Sequence, residues 1–142
     1  MKVFKRFSAL LLALLMVLSL CACGAETGKL NQTITDGDIS LTVTSAEFSD
    51  DNDKRVVCSV SYTVDNNTGE KISFIGASST TALNYDGEKS EPKDTLSWYS
   101  VEAYSTVDGF TSFYLPKEAE TSDKPIYLEM KMEGANFKVQ IR

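Results

Sequence analysis

The chain has 142 residues with no histidine, 14 lysines and arginines against 20 aspartates and glutamates, and a formal charge of −6. That length buries one core and is too short for two ordinary domains. The negative excess excludes a nucleic-acid grip and argues against adhesion to anionic lipid, and the missing histidine removes the commonest general base and metal ligand.

The first residues read as an export signal. Lys2, Lys5 and Arg6 precede a run of 14 largely apolar residues, Phe7 to Leu20. A run below the ~20 residues needed to span hydrocarbon is the helical h-region of a cleaved signal peptide. Leu20-Cys21-Ala22-Cys23-Gly24 comes next, and it resembles the lipobox of bacterial lipoproteins, in which the cysteine after the cut is acylated and becomes the first residue. Cys23, preceded by the small Ala22, is the expected lipidation site; Cys21 competes but has the bulky Leu20 before it. The plainer alternative is an ordinary signal peptide cut near Ala25, with both thiols incidental. A diacylglyceryl group with a further acyl chain such as palmitate supplies anchoring that one chain cannot, at ~0.8 kcal/mol per buried CH₂. The expected organisation is a signal peptide over 1–22, a lipidated tether over 23–29 and one domain over 30–142. The domain is then held on the extracytoplasmic face of a bacterial cell membrane, at most roughly 25 Å from it. Loss of 1–22 removes three basic residues and no acid, leaving 11 basic side chains against 20 acidic ones.

From Leu30 onward apolar residues recur at every second position between turn residues, which predicts an all-β domain. Ile39, Leu41 and Val43 face one way, and the alternation breaks over Ser45 to Phe48, where a bulge can change the facing residue. Asp50 to Asp53 reads as a polar turn. Val56, Cys58, Val60, Tyr62 and Val64 mark the best strand, one face buried and the other mostly wet. Cys58 has no intramolecular partner once Cys21 is removed and Cys23 is a thioether, so stability has to come from packing, and Cys58 reads as a small buried hydrophobe. Asn66 and Asn67 sit where the chain turns and tolerate a left-handed backbone. A short strand over Lys71 to Ile75, an Asp86-Gly87 hairpin, a loop over 90–95 and an irregular strand from Leu96 to Tyr104 follow. In the strand from Thr106 to Leu115, Gly109 and Phe113 share the inner side, which turns Phe110 and Tyr114 outward, and Pro116 ends it. Ile126, Leu128, Met130 and Met132 line one strand, Gly134 turns the chain, and Phe137, Val139 and Ile141 line the last. About eight or nine strands between Leu30 and Ile141 fit a two-sheet antiparallel sandwich of immunoglobulin-like type.

The segments GDISLTVTSAEF (37–48), VVCSVSYTVDNNTGEKISF (56–74), NYDGEKSEP (84–92), TVDGFTSFYLPKEAE (106–120) and NFKVQIR (136–142) occur in an order that resembles the telokin-like, immunoglobulin-type domain of bacterial lipoproteins. That domain family has no established function and is related in fold to a secreted mycobacterial immunoprotective antigen. The resemblance implies the fold and the location, and it carries over no catalytic residue and no cofactor.

The residues themselves offer little chemistry. Glu47, Asp50, Asp51 and Asp53 crowd one connection, but an EF-type calcium loop also needs a glycine at its sixth position and a bidentate glutamate at its twelfth. A solvated acidic turn is the plainer reading, and no metal is expected. No Ser-His or Cys-His pair can form, and no glycine-rich phosphate cradle is present. The expectation is therefore a non-enzymatic, lipid-anchored module that binds a protein or an envelope component through a sheet face or edge. The alternative is a surface module that binds a glycan or small ligand with Trp98, Tyr99, Tyr104 and Tyr114 as stacking rings. Against it, Trp98 can plug the core while the tyrosines cap the sheet margins.

Overall fold

The computed structural model describes residues 26–73, 80–93 and 100–142. These residues form eleven strands: β1 (Thr27–Lys29), β2 (Thr33–Asp36), β3 (Ile39–Asn52), β4 (Arg55–Asn66), β5 (Ile72–Ser73), β6 (Thr80–Tyr85), β7 (Glu88–Ser90), β8 (Ser100–Val101), β9 (Ser105–Pro116), β10 (Ile126–Met132) and β11 (Ala135–Gln140). One sheet has the order β1-β11-β10-β6-β7, the second β2-β3-β4-β9, and β5 pairs with β8 in a small third. The chain passes from the second sheet to the first between β4 and β6, returns between β7 and β9, and crosses again to β10. Those crossings make a Greek-key, immunoglobulin-like sandwich.

Period-two alternation builds the core. Val56, Cys58, Val60, Tyr62 and Val64 of β4 all point inward and are buried, facing Leu128, Met130, Phe137 and Val139 within one continuous cluster. β4 is paired along its whole length, with β3 on one side and β9 on the other. A register shift between Val43 and Ser45 inserts the extra residue Thr44. Before that bulge Ile39, Leu41 and Val43 face the core; after it Ala46 and Phe48 do. The core's polar contact is a 2.8 Å hydrogen bond between the Tyr62 and Thr111 hydroxyls. At the β6–β7 hairpin Asp86 and Gly87 take φ of 53° and 85°, the left-handed pair a tight antiparallel turn demands.

Several expectations are corrected. Thr27–Lys29, read as tether, is a strand that pairs parallel with β11, because a buried Gly28 lets the backbone close on Ile34: a Cβ there would lie 2.7 Å from Ile34 Cγ2. The chain does not turn over Asp50–Asp53; β3 runs on to Asn52, and the turn is Asp53-Lys54 with the Asn52 side chain accepting both the Lys54 and Arg55 N–H groups. Pro116 does end β9 as expected, and a single 3-10 turn, Lys117–Glu120, follows it directly and buries Ala119. Neither Asn66 nor Asn67 adopts positive φ; among the described residues the non-glycine positions that do are Asn31, Asp86 and Tyr104. Asn66 turns the chain by its side chain instead. Its Nδ2 donates to the carbonyls of Glu70, Val101 and Glu102 at 2.8, 3.2 and 3.0 Å, while Oδ1 accepts from the Thr68 N–H and hydroxyl.

Because Asn66 is buried and ties the end of β4 to two later segments, Asn66→Ala removes three donated hydrogen bonds, one of them to the carbonyl of buried Val101, and two accepted from Thr68. Urea unfolding should show a loss of about 2–3 kcal/mol at unchanged m-value; a loss below about 0.5 kcal/mol would mean that water replaces the side chain there.

Candidate functional site

The two outer faces of the sandwich differ in chemistry. On the four-stranded sheet the outward positions of β2, β3, β4 and β9 carry mostly hydroxyls, paired across strands: Thr33 with Thr42 at 2.7 Å, Thr35 with Ser40 at 2.9 Å, and Ser59 with Ser112 at 2.8 Å. The Thr63 hydroxyl donates to Asp108 at 2.6 Å and that of Thr106 to Asp65 at 2.5 Å, which holds both carboxylates in the plane of the face. Phe110 stands among them, 59% exposed, over a shallow hollow bordered by Thr44, Ser61, Thr63 and Asp108.

Of the candidate stacking rings, the two described ones, Tyr104 and Tyr114, do not assemble around it. Tyr114 faces outward on β9 as the alternation requires, but the Arg55 guanidinium lies 3.9 Å over its ring and Lys93 approaches to 5.4 Å. Arg55 is fixed there by Asp51 at 2.5 Å, a hydrogen bond that raises the guanidinium pKa further. Tyr104 is not in a strand. It occupies the turn before β9 with φ of 53°, 77% exposed, its N–H donating to Thr68 O at 3.2 Å and its hydroxyl beside Gly69. Ten residues of extended chain separate Tyr104 from Tyr114, on the order of 30 Å, so the two lie at opposite ends of the sandwich. Trp98, Tyr99 and the proposed lipidation site Cys23 lie outside the described residues. Tyr85 of β6 is a core residue and offers no ring to the surface.

The acidic connection is spent on ion pairs. Asp50 meets Lys117, which also reaches Glu120 at 3.0 Å, while Asp51 holds Arg55. Among the described residues no group of three or more carboxylates, thiols or imidazoles is placed to hold a metal ion. Cys58 is fully buried, and burial pushes its thiol pKa up to about 12, an effect the charge of Arg142 partly opposes.

The outer face of the five-stranded sheet went unnoticed in the sequence. In register, Lys29 of β1, Lys138 of β11, Lys131 of β10 and Lys89 of β7 all occupy outward positions, because their neighbours Gly28, Val139 and Met130 point in and Lys89 pairs with the outward Asn84. The carboxylate among them is Glu129, bridged to Lys89 at 2.5 Å and bonded by Asn84 at 3.0 Å. The Lys89 contact is the largest cause holding the Glu129 carboxyl below its ordinary pKa, against the opposing effect of burial. Lys138 extends over the Tyr127 ring at 4.5 Å. Part of the signal is in the sequence: Lys131 and Lys138 sit at the polar phase of alternating segments, but only strand pairing brings the four lysines together.

The sequence matches no protein-family profile and no curated protein. Solved bacterial structures share the fold. An uncharacterized β-sandwich protein of Clostridium difficile matches with a TM-score of 0.57 at 17% identity, over 84% of this chain and 97% of that one. The ycdA protein of Bacillus subtilis, a candidate lipoprotein, gives a TM-score of 0.60 at 15% identity, over 81% of this chain and 39% of that one. The yjhA protein of the same species gives 0.57 at 16% identity, over 82% and 100%. This chain is thus similar in fold to a group of bacterial β-sandwich proteins.

The Cys58 thiol sets a pH dependence. A thiol near 9 when unfolded and near 12 when folded contributes stability that is fully present below pH 9 and is lost as pH rises toward 12, since only the unfolded chain releases the proton. Over that window the native chain should lose up to about 1.4 kcal/mol per pH unit more steeply than Cys58→Ala, read by urea midpoints at each pH; parallel curves would place the thiol in contact with water.

Proposed function

We propose that the protein is a non-enzymatic, lipid-anchored extracytoplasmic domain of the telokin-like lipoprotein type, which presents the outer face of its β2-β3-β4-β9 sheet to a protein partner. The observation that carries this reading is Phe110, a large ring exposed in the middle of a face most of whose hydroxyls are hydrogen-bonded across strands. A ring this exposed on a flat, largely hydrogen-bonded polar surface loses little on desolvation and gains the burial of its exposed apolar area, the pattern of an interface anchor. The basic n-region, the short apolar run and Leu20-Cys21-Ala22-Cys23 support the anchor.

Three features support a binding role over a catalytic one. The chain has no histidine, its described cysteine thiol is buried and protonated at neutral pH, and Asp50 and Asp51 are engaged by Lys117 and Arg55. A glycan is the second reading, favoured by Asp108 and Thr63 beside Phe110, since sugars stack on a ring and donate to carboxylates.

Mild crosslinking in the native membrane, followed by recovery of the protein, tests both. A protein partner captured by the wild type and lost with Phe110→Ala, at unchanged melting temperature, is the expected result. Equal capture by both forms would remove this face from the interaction, and Phe110-dependent retention on purified cell wall would give the face to a glycan.

A further inference from the structure

The charge of this chain is segregated. The outward strand positions of the five-stranded sheet carry Lys29, Lys89, Lys131 and Lys138 against Glu129, whereas strands β2, β3, β4 and β9 of the other sheet carry one cation, Arg55, paired with Asp51, and turn Asp65 and Asp108 outward. The end of the sandwich formed by the β2–β3, Thr68–Lys71 and β10–β11 turns gathers Asp38, Glu70 and Glu133. One cationic face therefore exists on a domain that is acidic as a whole.

The strand that follows the proposed attachment lies on the margin of that same face. Thr27 pairs with Lys138, so β1 is the edge strand of the lysine-bearing sheet. Cys23 precedes Thr27 by four peptide steps, a contour of at most about 14 Å. Two packed sheets are ~10 Å apart at their backbones and thicker with side chains, so a tether this short cannot wrap around the sandwich to bring the far face down. Of the surfaces it does reach, the acidic end is repelled by anionic lipid and the lysine face is attracted.

We propose that the outer face of the β1-β11-β10-β6-β7 sheet rests on the anionic phospholipid headgroups of the bilayer that holds the anchor, with Lys29, Lys131 and Lys138 as the electrostatic contacts and Tyr127 at headgroup depth. The inference rests on the lipid-anchor reading for its tether and on the strand register for its face. It reverses the expectation from net charge: attraction is decided by the face within a Debye length of the surface, and not by the sum over the molecule. It also turns the Phe110 face away from the membrane, toward a partner.

The test uses the mature protein purified from membranes and placed on vesicles of phosphatidylcholine alone or rich in phosphatidylglycerol, with a fluorophore at Thr80→Cys on the lysine face or at Thr106→Cys on the opposite face, and with quenchers in the lipid headgroups. Cys58, buried and protonated, stays unlabelled. On phosphatidylglycerol the Thr80 label should be quenched several-fold more than the Thr106 label. That difference should collapse with Lys131→Glu/Lys138→Glu, which at about 1 kcal/mol per lysine weakens the contact roughly tenfold or more, and in about 1 M salt, where the Debye length is about 3 Å. Equal quenching of both labels, or a difference indifferent to salt and charge reversal, would overturn the proposed face while leaving the anchor intact. Failure to float with phosphatidylcholine vesicles would overturn the anchor instead, and the face would then stand only if the Thr80 bias persisted on phosphatidylglycerol.

Discussion

β4 is paired on both sides over its whole length, and this double pairing is the constraint on which the remaining structure depends. A strand hydrogen-bonded on both flanks cannot slip by one residue without moving Val56, Cys58, Val60, Tyr62 and Val64 out of the core together. Each of those side chains gains about 1.5–3 kcal/mol on burial for the larger apolar types, so the register is fixed by their sum. With β4 fixed, β3 and β9 are fixed, and with them the direction in which every outward residue points. The surface chemistry follows from the core pattern.

That link explains how a small acidic domain can hold two unlike faces. The residues between inward apolar positions on β2, β3, β4 and β9 are mostly serine and threonine, which satisfy one another across strands and leave Phe110 as the apolar feature. Those on β1, β7, β10 and β11 include the lysines. Neither face is a cleft, and the carboxylates set into them, Asp65, Asp108 and Glu129, are engaged by hydroxyls or a lysine, which suits contact with extended surfaces better than the enclosure of a substrate. In the proposed arrangement the short parallel strand β1 couples the two roles, because it would join the lipid anchor to one named face of the sandwich.

Much of this was legible in the sequence where one residue type decides the matter. The alternation in Val56–Val64 and Ile126–Met132, the Asp86-Gly87 turn and the outward phase of Phe110 and Tyr114 all follow from local pattern. The bulge at Thr44 was legible as a break in phase. Other features depend on partners distant in sequence. Thr27-Gly28-Lys29 has no apolar alternation, and it becomes a strand because Ile34 fills the space beside Gly28. Asp50 to Asn52 look like a turn by composition but extend β3, because Lys117 and Arg55 neutralise Asp50 and Asp51. Tyr104 and Tyr114 share a segment in sequence and are parted by the length of a strand. The lysine face required the order of the sheet, since its four members come from four strands.

The central claim is that the domain is tied to a membrane through a lipid at Cys23, only four peptide steps before its first strand. The most direct test is the intact mass and N-terminal peptide of the protein extracted from bacterial membranes. The account predicts a mature chain that begins at Cys23 and carries a diacylglyceryl group. An unmodified chain beginning at or beyond Ala25 would contradict it and release the sandwich from the bilayer.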